Sequence, residues 1–303
     1  MSCSICGRSD IEHFCSVHDR LLGNTAQVWR ILRCRRCGFG WTFPPLAENG
    51  ISSYYPPAYL GEVRRTLDEF LSGRLARTRS WRGEVAKVRL LEGFVQSGRI
   101  LDVGCGDGKF LWVLDPGRWR RTGVELSRPT VDLVRGAIPD LELIAGDIFS
   151  EVLPAGEFDA LTFWHVLEHL HDTRRVLFRA RSLLRPGGWM IISLPNLDSL
   201  QARLFRRHWY AFDDVPRHLY HFSRISLNLI LLEAGLTVHR HLLFSRDVNF
   251  HSWKHSLLNW SRATRAGRAP YYLLKPALFL LTLLERLTGR YGIMTVVARK
   301  PAG

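Results

Sequence analysis

Residues 98–110 read Gly98-Arg-Ile-Leu-Asp102-Val-Gly104-Cys-Gly106-Asp-Gly108-Lys-Phe110, and this stretch decides the fold. Arg99–Val103 is an apolar run of strand length, Phe110–Leu114 opens a helix, and alternate glycines fill the turn between them. Such glycines permit a sharp turn and let a ligand lie against the main chain, because no Cβ intervenes. A dinucleotide fingerprint requires its third glycine at position 109, where this chain has Lys109. Asp102 and Asp107 crowd the same turn, and both would repel a pyrophosphate. The loop therefore suits a ligand that carries an ammonium and a sulfonium and no phosphate.

Outward from this loop, strand patterns at 121–125, 141–145, 158–163, 189–194 and 237–243 alternate with helical patterns at 128–136, 173–184 and 224–234. Alternation of this kind predicts an α/β domain whose parallel sheet is wrapped on both faces. Ligands of such sheets bind at the carboxyl ends of the strands, where Asp102, Glu125, Asp147 and Phe163 fall. Cys105, between the glycines, reads as a small loop residue and not as a nucleophile, because no base adjoins it.

Asp102-Val-Gly104-Cys-Gly106-Asp-Gly108 resembles the first motif of class I S-adenosylmethionine-dependent methyltransferases, and four later landmarks follow in order. Val124-Glu125 closes the second strand, Gly146-Asp147-Ile148 follows the third, Phe158–Phe163 forms the fourth, and Leu184-Arg-Pro-Gly-Gly188 precedes the fifth. The resemblance implies a seven-stranded Rossmann-like sheet and S-adenosyl-L-methionine as cofactor. It implies that Glu125 binds the ribose hydroxyls and that Asp147 accepts from the adenine amino group. The cofactor site it implies comprises Asp102, Gly104, Cys105, Gly106, Gly108, Glu125, Leu126, Asp147, Ile148 and Phe163.

Trp164-His165-Val-Leu-Glu168-His169-Leu170 follows the fourth strand. If helical, it sets His165, Glu168 and His169 on one face. It is similar to the segment of ubiquinone-pathway O-methyltransferases that places acid, acid and histidine beside the substrate, together with a divalent metal. Here His165 stands at the first acidic position. Two readings stay open: His169 is the general base that takes a hydroxyl proton, or the trio packs behind the cofactor. The aromatic stretch Trp209–Ser223 resembles the substrate-side loop of small-molecule and glycan methyltransferases and is a lid candidate. Within it Arg217 either holds an anion or pairs with Asp213 or Asp214, while His218 and His221 are alternative bases.

Residues 1–45 form a separate unit. Cys3-x-x-Cys6-Gly7 and Cys34-x-x-Cys37-Gly38 have the spacing of two zinc knuckles, which together complete a tetrahedral shell. So short a segment buries too little apolar surface to fold alone, and structural zinc would supply the difference. His13, Cys15 and His18 fall in the intervening loop with no necessary role. A linker and helical cap (46–97) follows, marked by Phe43-Pro-Pro45 and Tyr54-Tyr-Pro-Pro57, with Leu67, Phe70, Leu71 and Leu75 on one helix face. The order of zinc-ribbon-like module, Tyr/Pro stretch and methyltransferase core (98–303) resembles bacterial enzymes that modify sugars or glycans.

The 303 residues carry a net charge of +14, and residues 201–303 alone hold 16 Lys and Arg against 5 Asp and Glu. Nucleic acid, an anionic membrane or an acidic substrate are the partners such a balance invites. Met1–Cys6 lacks the basic and apolar run of a secretory signal, and Pro276–Leu284 is too short to span a bilayer, so a cytoplasmic protein is expected. With the last strand at Ile293–Arg299, residues 245–290 are a helical insertion, fit either to pack internally or to make peripheral membrane contact. Internal packing predicts buried Leu278, Leu281 and Leu284. The expected activity is O-methylation of a sugar, glycan or secondary-metabolite acceptor, free or lipid-linked. Methylation of ribosomal or transfer RNA is the alternative. It is disfavoured because Trp164-His165-Val166 stands where base methylation would want Asn/Asp-Pro-Pro-aromatic. A non-catalytic cofactor-binding regulator is the third reading.

Overall fold

The computed structural model describes residues 1–21, 23–47, 50, 54, 58–73, 79–243, 246–267 and 269–302. Leu75, the Tyr55-Pro-Pro57 part of the linker and Arg268 lie outside the described residues, as does the side chain of Phe70.

Three strands open the chain, β1 (Ile11–Asp19), β2 (Asn24–Cys34) and β3 (Gly40–Phe43), followed by helices α1 (Ala58–Leu71) and α2 (Arg79–Glu92). The central domain then runs β4 (Gly98–Val103), α3 (Lys109–Val113), β5 (Trp119–Glu125), α4 (Arg128–Ala137), β6 (Glu142–Ala145), β7 (Phe158–Trp164), α5 (Thr173–Leu183) and β8 (Leu184–Pro195). After α6 (Leu200–Phe205), β9 (Tyr220–His221), α7 (Arg224–Glu233) and β10 (Thr237–Leu242) come α8 (Arg246–Ala263), α9 (Ala269–Thr288) and β11 (Ile293–Arg299).

Seven strands make the main sheet in the order β10-β11-β8-β7-β4-β5-β6. Strands β4 to β8 are parallel, and β11 lies antiparallel between β8 and β10. Successive side chains of a strand point to opposite faces. In β11, Met294, Val296 and Ala298 enter the core on one face, while Val297 enters the core on the other. Both faces are covered, which is why these strands read as unbroken apolar runs.

The N-terminal unit is less separate than its spacing suggests. Residues 11–19 are a strand, so His13, Cys15 and His18 sit on β1 and not in a loop. Burial pushes the Cys15 thiol up to about 12, which keeps it inert. The four-stranded sheet β1-β2-β3-β9 takes its last strand from within the expected lid, where Tyr220 and His221 pair with Trp41 and Gly40. Trp29 and Ile31 of β2 share one core with Trp209, Phe212 and Val215. The stretch 209–223 is therefore an inter-sheet spacer: Trp209, Phe212 and Phe222 are wholly buried, and it has no free face with which to act as a lid.

Candidate functional site

The glycine turn after β4 adopts the conformation its composition demands. Gly104 has φ +68, and a Cβ there would lie 2.6 Å from Val166 Cγ2. Any side chain at 104 would displace the segment that follows β7. That contact sets His165 and Val166 directly beside the loop. At the tip of β5, Glu125 fastens the turn from the other side: its carboxylate accepts the N–H of Gly106 (3.1 Å) and of Ser127 (2.9 Å). Each carboxylate oxygen has a second lone pair for further donors. Leu126, next in line, is strongly exposed at 74% and offers an apolar surface at the same edge. Asp147 is exposed after β6, where its carboxylate accepts from Phe149 N–H (2.8 Å). Phe163 and Ile148, by contrast, are buried in the core, so their side chains present nothing to a ligand.

Asp102 is the buried acid of the turn. The strand register sets it opposite Thr162, whose hydroxyl donates to Asp102 Oδ1 at 2.6 Å. Burial pushes its carboxyl up to about 7, against the opposing pull of the Thr162 hydroxyl and the Lys87 charge. Lys87 and Glu84 come from α2, which thus covers the turn, and Lys87 Nζ also stands 5.2 Å from the centre of the Trp164 ring. Neither α2 residue was named from sequence; the signal was the expected helical cap itself. Cys105 is buried, and burial raises its thiol well above its ordinary value, in keeping with a small loop residue.

The histidine segment departs from the helical expectation. Only a short 3₁₀ turn, Leu167–His169, forms. His165 has φ +59, in the left-handed region that a non-glycine residue seldom adopts, and so cannot continue into an α-helix. The consequence is a different grouping. Glu168, His169 and His218 bring their donor atoms within 4.8 Å of one another, and His165 stands outside that set, with its Nδ1 3.6 Å from Glu168 Oε1. His169 Nδ1–H donates to the Arg217 carbonyl (3.0 Å) and His218 Nδ1–H donates to the Ala211 carbonyl (2.8 Å). With Nδ1–H so committed, Nε2 is the nitrogen that each ring turns to the group, an acceptor whenever the ring is neutral. Glu168 is wholly buried, and neither of its oxygens receives a hydrogen bond among the described residues. Burial alone would raise its carboxyl, but His165, His169 and His218 outweigh it and hold the group below its usual range. Burial beside His169 drives His218 well below the ordinary imidazole value. Three acceptors facing one another suit a proton or a small cation with mixed nitrogen and oxygen donors.

Arg217 does not face this cluster with its charge. It is buried and donates to Asp19 Oδ2 (3.4 Å), Asp214 Oδ1 (3.5 Å) and the Tyr54 carbonyl (3.0 Å). Asp19 belongs to β1, so its place as a partner was invisible in the local sequence. His221 is likewise internal, with Nε2 3.1 Å from Thr42 Oγ1, and burial lowers it to about 3.

At the far end of the N-terminal sheet the four thiols converge as their spacing predicts. Cys3 Sγ and Cys37 Sγ lie 3.6 Å apart, as do Cys6 Sγ and Cys34 Sγ. A disulfide would need about 2 Å, whereas sulfurs about 2.3 Å from a tetrahedral zinc stand about 3.8 Å from one another. Both knuckles repeat one backbone pattern: Gly7 N–H donates to the Cys3 carbonyl and Gly38 N–H to the Cys34 carbonyl, each at 2.9 Å. Burial raises the Cys3 and Cys37 thiols, while main-chain N–H groups aimed at the sulfurs favour the thiolate.

An open, mostly parallel sheet with one antiparallel strand, a glycine turn at its topological centre, an acid at the next strand tip and a polar cluster on the same edge is the architecture of class I methyltransferases. Residues 73–241 match the family model described as a methyltransferase domain, and the chain belongs to that family. A ubiquinone biosynthesis O-methyltransferase of Thiobacillus denitrificans is 32% identical over 104 residues, covering 32% of this chain and 44% of the relative. Its counterpart in Chromobacterium violaceum is 30% identical over 150 residues, with 46% and 64% covered. An uncharacterised methyltransferase of Mycobacterium bovis is 32% identical over 136 residues, with 43% and 69% covered. The chain thus spans about half the length of the ubiquinone enzymes it matches. Among solved structures, a chain from the Haloferax volcanii complex of the Trm112 activator with a methyltransferase superposes with TM-score 0.52 at 14% identity, covering 82% of this chain and 99% of that one. Geranyl diphosphate methyltransferase gives TM-score 0.50 at 13% identity, with 71% and 78% covered. These structural likenesses speak for the fold.

Proposed function

We propose that the protein is an S-adenosylmethionine-dependent methyltransferase acting on a hydroxyl of a sugar, glycan or secondary-metabolite acceptor. The observation that carries this reading is the contact of Val166 with Gly104, which joins the histidine segment to the glycine turn. When bound, S-adenosyl-L-methionine supplies a methyl group activated by the positive sulfonium. The chain's own residues do the rest. With the cofactor bound, Asp102 would face the ammonium, Glu125 would take the ribose hydroxyls on its remaining lone pairs, and Asp147 would accept from the adenine amino group. Leu126 would offer its exposed apolar surface to the purine. Gly104, Gly106 and Gly108 would let the cofactor lie against the main chain, because no Cβ stands between. Methyl transfer rests mainly on alignment, so holding both partners in line supplies most of the rate.

His169 is the base we assign. Its Nδ1–H is committed to the Arg217 carbonyl, so Nε2 is free to take the acceptor proton, and the buried Glu168 carboxylate stabilises the imidazolium that results. His165 and His218 complete the field around Glu168. The same donors suit a divalent cation, which would polarise the acceptor oxygen there. Relatives named as O-methyltransferases support oxygen as the accepting atom. We further propose structural zinc on Cys3, Cys6, Cys34 and Cys37; four thiolates close the shell and leave no position for catalysis.

The test is His169→Gln, assayed by S-adenosylhomocysteine release on pooled acceptors. Loss of a general base lowers turnover about 10²–10⁴-fold, with cofactor affinity by calorimetry unchanged. Turnover equal to the parent would remove His169 from the chemistry.

A further inference from the structure

Helices α8 and α9 form the insertion, and they pack unequally. α8 is anchored: Trp253 and Leu257 are buried, with Ser256 and Asn249 between α8 and the domain. α9 is anchored along one side only. Glu285 is buried there and accepts from Trp253 Nε1–H (2.7 Å), and Leu278 is buried with it. Leu281 is half-buried and Leu284 is exposed, so the internal packing foreseen for these leucines reaches only part of the helix.

The opposite side of α9 is apolar and open. Tyr272, Leu273, Phe279, Leu280, Leu283 and Leu287 are each 50–79% exposed. Their spacing of three, four and seven residues puts them on one continuous stripe. A stripe of this kind normally faces a core; left open, it marks an interaction surface.

We propose that this face of α9 docks on an anionic lipid bilayer, lying in the plane of the interface. The choice of occupant rests on charge. From residue 248 to the end of the chain the only acid is Glu285, which is buried. Lys275 and Arg286 are exposed along one flank of the stripe, and Arg262 in the last turn of α8 and Arg265 just after it are exposed as well. An apolar stripe with a basic border is the combination that interfacial helices use on acidic headgroups. A second copy would bring the same basic border against itself, and a nucleic acid would leave the leucines facing water. No helix among the described residues is long and apolar enough to cross a membrane, so the contact is peripheral. α9 leads through Gly289–Gly292 into β11, whose first residue Ile293 pairs with Pro195 at the carboxyl end of β8. The C-terminal end of α9 thus lies close to the carboxyl edge of the sheet.

The test is flotation of the full chain with vesicles of phosphatidylcholine alone or mixed with phosphatidylglycerol, at low and high salt. The protein should float with the anionic vesicles at low salt and lose most of that partition at high salt. Lys275→Glu/Arg286→Glu should weaken it about 25-fold or more, since each basic group near the surface contributes about fivefold. Leu280→Ser/Leu283→Ser should weaken it about tenfold or more. All four side chains are exposed, and an unchanged melting profile separates lost docking from lost fold. Absence of flotation at low salt, equal binding to phosphatidylcholine alone, or unaltered binding by the leucine variant would overturn the proposal. So would a dimer in sedimentation that the leucine variant dissociates, because a second copy would then own the stripe.

Discussion

The four thiols of the N-terminal sheet and the Glu168–His169–His218 group are both sets of donors packed within 4.8 Å, yet they are assembled by different means. The thiols come from two five-residue turns that are copies of one another, and each turn is closed by its own main-chain hydrogen bonds. Their geometry is a local property, repeated. The second group draws on a 3₁₀ turn after β7 and on His218, 49 positions after His169. His169 is oriented by the carbonyl of Arg217, and Arg217 is in turn locked by Asp19 of β1. One cluster brings its frame with it, while the other borrows a frame from two sheets.

The largest expected effect breaks the first half of that contrast. Removing metal, or Cys37→Ser, should release about one zinc per chain and unfold β1–β3, with a loss on the order of 10 kcal/mol of metal-coupled folding energy. Elemental analysis and amide exchange read both. Protected β1 and β2 amides in metal-free protein would mean that the shared core with Trp209 and Phe212 suffices. Next, Arg217→Met tests the borrowed frame. It removes the buried guanidinium from beside Asp19, Asp214 and the Tyr54 carbonyl and should cost about 3–5 kcal/mol in a thermal or denaturant melt. Asp19→Asn in the same chain should recover part of the loss. A shift below about 1 kcal/mol would show that the spacer is held by its aromatic residues.

Two buried carboxylates sharpen the comparison further. Asp102, without histidines around it, is raised to about 7, whereas Glu168, ringed by three, is lowered. For Asp102 the charged form is the penalised one. The parent therefore loses stability as pH rises from about 4 through about 7. Asp102→Asn should consequently melt higher than the parent above pH about 7, by on the order of 2–4 kcal/mol, and the gap should close near pH 4. Cofactor affinity in the parent should increase as pH passes about 7, because an ammonium prefers the ionised acid; the Asn variant should show a flat profile. The smallest effect has the opposite sign. Glu168 contributes stability that is present above about pH 4.3 and lost as pH falls through its lower folded value. Glu168→Gln should flatten that acid limb in melts taken from neutral pH downward through the carboxylate range. A parallel acid limb in parent and variant would take the histidines away from Glu168 as its charge partners.

The amino-acid sequence by itself determined the sheet, the glycine turn and the thiol shell. All three are written in short-range patterns: short apolar runs alternating with helical stretches, glycines that must take positive φ, and Cys-x-x-Cys-Gly repeats. Strands β4, β5, β7 and β11 fall within a residue or two of their expected bounds for that reason. What only the tertiary structure decided are the pairings between distant segments. A helix would have set His165 on one face with Glu168 and His169, but the left-handed backbone of His165 rules that helix out, and His218 joins the group instead. The aromatic stretch 209–223 had the composition of a lid, yet its Trp209, Phe212 and Val215 are consumed in a core that Trp29 and Ile31 of the N-terminal sheet share with α6, α8 and α9. α9 was readable as an amphipathic helix that, packed internally, would bury Leu278, Leu281 and Leu284, of which Leu278 is buried, Leu281 half-buried and Leu284 exposed. A buried Glu285 bonded to Trp253 and Asn249 settled that orientation and left the leucines facing solvent. Local patterns say which elements form; burial of a few polar groups, each obliged to find its partner, says how they meet.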